Sequence, residues 1–120
     1  MNNFYFLDTY AIFEIIFGNK SYSKFRDKLL VTSVFNLGEL NYNLKKDFSK
    51  VTSNRITKEY SSILETVELE DIIKAGDLKS QNRKLSIPDC IGYVVAKRIG
   101  AKFLTGDKEF EKMANVEFVK

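Results

Sequence analysis

Phe4-Tyr5-Phe6-Leu7-Asp8, followed closely by Tyr10-Ala11-Ile12-Phe13-Glu14-Ile15-Ile16-Phe17, is the stretch on which the fold turns. Four consecutive apolar residues, rich in aromatics, predict a strand covered on both faces, because a half-exposed strand would alternate apolar with polar. The run stops at an acid. Beyond it the apolar residues recur at helical spacing, and Gly18-Asn19 supplies a C-terminal stop. The opening unit is therefore strand, acid, helix.

The pattern repeats outward from there. Residues 21–28 read as a short surface helix, and Leu29-Leu30-Val31-Thr32-Ser33 as a second buried strand leading into a helix over about 34–46, with Glu39 in its first two turns. Residues 47–65 are polar with apolar positions at Ile56, Tyr60, Ile63 and Leu64, which predicts a helix that Ser53 would cap. Val67-Glu68-Leu69 suggests a short strand, and 71–84 a helix with Ile72, Ile73, Ala75 and Leu78 on one face. Pro88 opens a helix to about Ile99, tolerated because it sits in the first turn, with Gly100 past the end. Lys102-Phe103-Leu104-Thr105 is strand-like and stops at Gly106-Asp107. A short helix over 108–113 and an edge strand over 116–119 complete the chain. Strands alternating with helices predict an α/β domain with a mostly parallel sheet, helices on both faces and right-handed crossovers.

At 120 residues and 44% hydrophobic, the chain suits one domain with one core, spanning 1–120. Its single cysteine, Cys90, rules out an internal disulfide and a cysteine-based zinc cluster, as expected in a reducing cytoplasm. Histidine is absent, which removes every mechanism that rests on imidazole, from Ser-His-Asp triads to H-E-x-x-H zinc sites. The net charge of +3 permits contact with a polyanion without demanding it. The first residues lack a positive leader, and Asp8 and Glu14 interrupt the apolar stretch, so neither a signal peptide nor a membrane span is expected.

Ligands of open parallel sheets bind beyond the carboxyl ends of the strands. Asp8 and Asp107 each end a predicted strand, while Glu39 and Asp89 sit near the starts of helices that begin at the same rim. Four carboxylates are thus expected to face one crevice. Crowded anions repel, and a hard divalent cation such as Mg2+ or Mn2+, which takes oxygen ligands, would neutralise them. With no histidine and only one cysteine, water activated by such a metal is the expected nucleophile, directed at a phosphodiester. Thr105 could orient a ligand from beside Asp107, or serve only as a β-branched strand residue. Asp8 equally suits a helix N-cap, and Asp89 a first-turn acid favoured by the helix dipole. Glu65, Glu68, Glu70, Asp71 and Asp77 read as a solvated acidic face. Basic side chains concentrated in the first half, among them Lys45, Lys46 and Lys50, could flank a phosphate track. The helix from Cys90 to Ile99, apolar nearly all round, is expected to be deeply buried or shared with a second subunit.

Taken together, Phe-Leu-Asp8-Thr9, Asn-Leu-Gly-Glu39-Leu, Ser86-Ile87-Pro88-Asp89 and Phe-Leu-Thr105-Gly106-Asp107 resemble the PIN-domain nucleases across nearly the whole chain, and most closely the small stand-alone toxins of the VapC type. The resemblance implies a three-layer sandwich with a sheet of four or five strands, a homodimer, an antitoxin partner and magnesium- or manganese-dependent cleavage of RNA. Asp8, Glu39, Asp89 and Asp107 would be the catalytic, metal-binding acids, with Thr105 accessory to them. Other Asp-bearing α/β enzymes fit less well. A haloacid dehalogenase would need a second aspartate where Tyr10 stands, a receiver domain would need an acidic pair after the first strand, and no G-x-x-x-x-G-K-[ST] or G-x-G-x-x-G is present. The remaining alternative is a catalytically silent PIN fold that binds RNA or a protein.

Overall fold

The computed structural model describes residues 3–120, so the expectation about an N-terminal leader falls partly on Met1 and Asn2, outside the described residues. The chain runs β1 (Phe4–Leu7), α1 (Thr9–Ile16), β2 (Leu29–Val31), α2 (Val34–Leu44), α3 (Lys50–Glu59), α4 (Leu69–Gln81), α5 (Ile87–Ile99), β3 (Lys102–Thr105) and β4 (Val116–Phe118), with short 3₁₀ turns between several of them. All strand pairings are parallel, in the order β2-β1-β3-β4. After β2 the chain crosses back over β1 to build the other half of the sheet. The order therefore reverses between β1 and β3, the place where such sheets open a crevice.

Alternation along the central strands sorts the core into two layers. Tyr5 and Leu7 pack with α1 and α2, together with Leu37, Leu40 and Leu44, while Phe6 points to the opposite face and meets Ile91, Val95 and Phe103. Each such buried side chain contributes roughly 1.5–3 kcal/mol relative to exposure. The helix over 87–99 is buried nearly all round its middle turns, through Cys90, Ile91, Gly92, Tyr93, Val95 and Ala96, in keeping with its apolar composition. Ser86 caps it, Pro88 sits in its first turn, and Gly100 closes it at φ 78°, a left-handed conformation that costs glycine little.

Several expectations are corrected. Val67-Glu68-Leu69 is not a strand: Glu68 caps α4 in a reciprocal capping box with Asp71, and Leu69 is 76% exposed as the first helical residue. Leu64 instead bridges to Thr32, and the sheet has four strands. On α4, Ala75 is buried but Ile72 and Ile73 are exposed, so the apolar face is narrower than their spacing suggests. Ser49, not Ser53, caps α3, accepting the Thr52 N–H at 3.1 Å; Ser53 lies inside the helix. The second strand is an edge, with Leu29 exposed, because β1 alone pairs with it. Residues 20–25 form a 3₁₀ turn that buries Tyr22 and Phe25 rather than a surface helix. Asp71 leaves the solvated acidic face altogether. It is buried and clamped by Arg98 through Nε at 3.0 Å and Nη2 at 2.9 Å.

Candidate functional site

Each carboxylate reaches the rim by a local device. Asp8 follows β1 directly and caps α1, its Oδ1 accepting the Ala11 N–H at 2.8 Å, so the strand-end and N-cap readings hold together. Thr105 ends β3 beside it, since Leu7 pairs with Leu104. The Thr105 hydroxyl donates to Asp8 Oδ2 and accepts the Asp107 backbone N–H at 2.9 Å. One hydroxyl thus ties both strand-end acids together. Asp107 also caps the 3₁₀ turn after it, accepting the Glu109 N–H at 3.0 Å. Gly106, between them, must be glycine: an added Cβ would strike the Tyr10 ring and come within 2.6 Å of the Val119 carbonyl.

Glu39, Asp89 and Asp107 line one cleft of about 620 Å³, together with residues of α1 and with Lys108 and Lys120. Asp8 is not among its lining residues. It is fully buried, so three of the four predicted acids open on the crevice while the fourth is joined to Asp107 through the Thr105 hydroxyl. Neighbouring buried polar groups are also paired: Ser33 donates to Asn36 Oδ1 at 2.7 Å, and Thr32 donates at 2.7 Å to the carbonyl of Leu7, the residue before Asp8. These pairings satisfy polar groups that would otherwise be costly to bury.

The electrostatics carry the mark of this crowding. Burial raises the Asp8 carboxyl well above the usual carboxylate range, and the negative charge of Asp89 raises it further, against the opposing hydrogen bonds from Thr105 and Ala11. Burial, then the charge of Glu39, lifts Asp89 to about 7. Cys90 does not take part as a thiolate, because burial and the neighbouring Asp89 push its thiol up to about 11.

A divalent cation is the group this donor set suits, being all oxygen. Asp89 Oδ1 is buried with no hydrogen-bond partner among the described residues, an oxygen left for a ligand. Among the described residues no three such groups are placed to hold a metal ion together, so the four predicted acids do not form a ready cage.

Sequence reasoning missed Tyr10, Phe13, Glu14, Asn43, Lys108 and Lys120 in the cleft wall. The signal for the first three was present: they share one face of α1, spaced three and four residues apart. Among the described residues no helix is long and apolar enough to cross a membrane.

A family model described as PIN domain matches residues 5–116. No curated protein matches the sequence. Among solved structures the chain is similar to VapC20 of Mycobacterium tuberculosis, described as a sarcin-ricin loop cleaving toxin, at a TM-score of 0.75 and 18% identity over 96% of both chains. It is also similar to a chain of the DNA-bound VapBC structure from Salmonella typhimurium, with a TM-score of 0.71 and 21% identity, covering 99% of this chain and 98% of that one. A chain of VapBC-1 from nontypeable Haemophilus influenzae gives 0.72 and 18%, covering 97% of this chain and 96% of that one.

Proposed function

The chain belongs to the PIN domain family, and from that premise we propose that it is a magnesium- or manganese-dependent endoribonuclease, the toxin of a toxin-antitoxin pair. The observation that carries the reading is the cleft lined by Glu39, Asp89 and Asp107, with an orphaned carboxylate oxygen on Asp89 and with Asp8 tied to Asp107 through Thr105. Asp8, Glu39, Asp89 and Asp107 would hold the ion. When bound, it supplies charge neutralisation for the phosphoryl oxygens and eases deprotonation of the attacking water. Thr105 sets the relative position of Asp8 and Asp107 through its two hydrogen bonds. Lys108 and Lys120, in the same cleft, attract the phosphate backbone toward the acids.

An antitoxin partner is supported by the VapBC complexes among the similar structures. A homodimer and a cytoplasmic location belong to the same reading. The lack of a preformed cage favours one rival, a PIN fold that binds RNA without cutting it. The deciding experiment incubates purified protein with RNA and manganese, magnesium or EDTA. Cleavage that requires the metal and vanishes in Asp8→Asn and Asp107→Asn supports the nuclease. Cleavage that persists in EDTA or survives both substitutions overturns the metal site. Manganese should also raise the melting temperature, because a ligand bound only by the folded state stabilises it.

A further inference from the structure

The open face of α1 is an aromatic stripe that leaves the acidic cleft and continues beyond it. Tyr10 and Phe13 line the cleft. Phe13 stacks on Phe17 with ring centroids 5.6 Å apart and planes within 17°, and Phe17 stacks on Phe48 at 5.8 Å, again within 17°. Phe17 is 55% exposed and Phe48 37%. Large aromatic rings left this open at the end of a helix are poorly explained by core packing.

The end of the stripe away from the acids is basic, and two lysines stand among the acids at the other end. Lys108 and Lys120 stand in the cleft, and the turn over residues 45–50, which carries Phe48, also carries Lys45, Lys46 and Lys50, all exposed. Besides the cleft carboxylates Glu39, Asp89 and Asp107, two acids lie along the path: Asp47 in that turn, and Glu14, which accepts from the Asn19 side-chain amide at 2.8 Å. Rings for the bases beside ammonium groups for the phosphates make the combination by which proteins hold single-stranded nucleic acid without reading its sequence. An apolar peptide would have no use for the lysines.

We propose that the exposed end of the stack of Phe13, Phe17 and Phe48, the Phe48 ring backed by Phe17, is a base-stacking platform and track for single-stranded RNA flanking the scissile bond, with the lysines of the 45–50 turn holding its phosphates. The inference rests on the nuclease reading and deepens it. It assigns substrate grip to a surface outside the acids, so that unpaired nucleotides on one side of the cut determine how well a substrate is held.

The test uses the full chain and an unstructured fluorescent RNA oligonucleotide with 2-aminopurine placed to one side of the cleavage point. Binding is measured in EDTA and cleavage in manganese, for wild type, Phe17→Ala, Phe48→Ala and the conservative Phe48→Tyr, each checked by circular dichroism for an unchanged fold. Removal of either ring should weaken binding about tenfold and abolish part of the 2-aminopurine quenching. The loss in cleavage should appear in KM, and Phe48→Tyr should restore it. Lys46→Gln should reduce the dependence of affinity on salt. If wild type cleaves with manganese while the alanine variants keep its RNA affinity, quenching and KM, the track is wrong although the nuclease stands. The track is equally wrong if those variants lose only self-association or binding to a co-expressed protein partner. If wild type neither binds nor cleaves the oligonucleotide, both readings fall.

Discussion

Asp71 and Asp89 are both aspartates in the first turn of a helix, both with buried carboxylate oxygens, and they titrate in opposite directions. Burial raises Asp71, but the Arg98 guanidinium and the Glu68 backbone N–H, which donates to it at 2.9 Å, outweigh the burial and hold it below its ordinary range. Asp89 has no such counter-charge. Burial and Glu39 push it to about 7, and one of its oxygens has no donor among the described residues. The first site is a finished structural joint. The second is left without a counter-charge at a cost to the fold, the asymmetry expected if Asp71 belongs to the scaffold and Asp89 to the proposed site.

The largest expected effect tests the second site. Asp107→Asn should lower metal-dependent cleavage by more than about 100-fold, beyond the range typical of a residue that only supports a ligand, and leave the circular dichroism spectrum unchanged. Thr105→Val, which removes the hydroxyl joining Asp8 to Asp107, should fall within that supporting range of about 10–100-fold, measured as initial cleavage rate at saturating manganese. A smaller loss for Asp107→Asn than for Thr105→Val would reverse their assigned roles.

The scaffold joint should respond in stability instead. Arg98→Met leaves Asp71 buried without its partner and should cost about 2 kcal/mol at pH 7 by urea denaturation, with cleavage retained; the value lies below that for a fully buried pair because Arg98 is 34% exposed. Its pH dependence has a definite sign. A depressed folded pKa means that Asp71 contributes fully above the unfolded value near ~4 and loses its contribution as pH falls through the folded value. Asp89 behaves the other way. Its raised pKa makes the fold hold the proton more tightly than the unfolded chain, so stability should decline as pH rises from about 4 to about 7 and level off above.

How much of this contrast was legible beforehand depends on the kind of signal. Asp8 and Asp107 were placed by the ends of short apolar strands, a local pattern that tertiary structure had little room to alter. Glu39 followed from helix register, and Asp89 from Ser86 and Pro88, which mark a helix start. What stayed hidden was non-local. Nothing near Asp71 in sequence announces Arg98, so an acid in an acidic run looked solvated. The burial of Asp8 depends on strand order, which alternation alone does not specify. The supposed strand at 67–69 failed because two apolar residues around Glu68 resemble a strand as readily as a capped helix start. Ser53 was mistaken for a cap because Ser49 offers the same chemistry one turn earlier.

Asp89→Asn sharpens the comparison further by separating strain from function at one residue. In EDTA at pH 8 the substitution removes a charge that the fold disfavours, so the melting temperature should rise by about 4 °C, for a gain of about 1 kcal/mol, while metal-dependent cleavage is lost. Below about pH 4, where Asp89 is protonated in the folded and unfolded chain alike, the difference should disappear. Ser53 supplies the control with the smallest effect. Its Oγ is the other buried side-chain oxygen with no partner among the described residues, but it is uncharged and sits on α3, outside the residues that line the cleft. Removing an unmet hydroxyl relieves a desolvation penalty and opens little space, so Ser53→Ala should change stability by no more than about 1 kcal/mol, toward greater stability, at every pH. Cleavage should be untouched. If Ser53→Ala matched Asp89→Asn in the size and pH dependence of its stabilisation, the gain at Asp89 would reflect an ordinary packing defect rather than a carboxylate kept for a ligand.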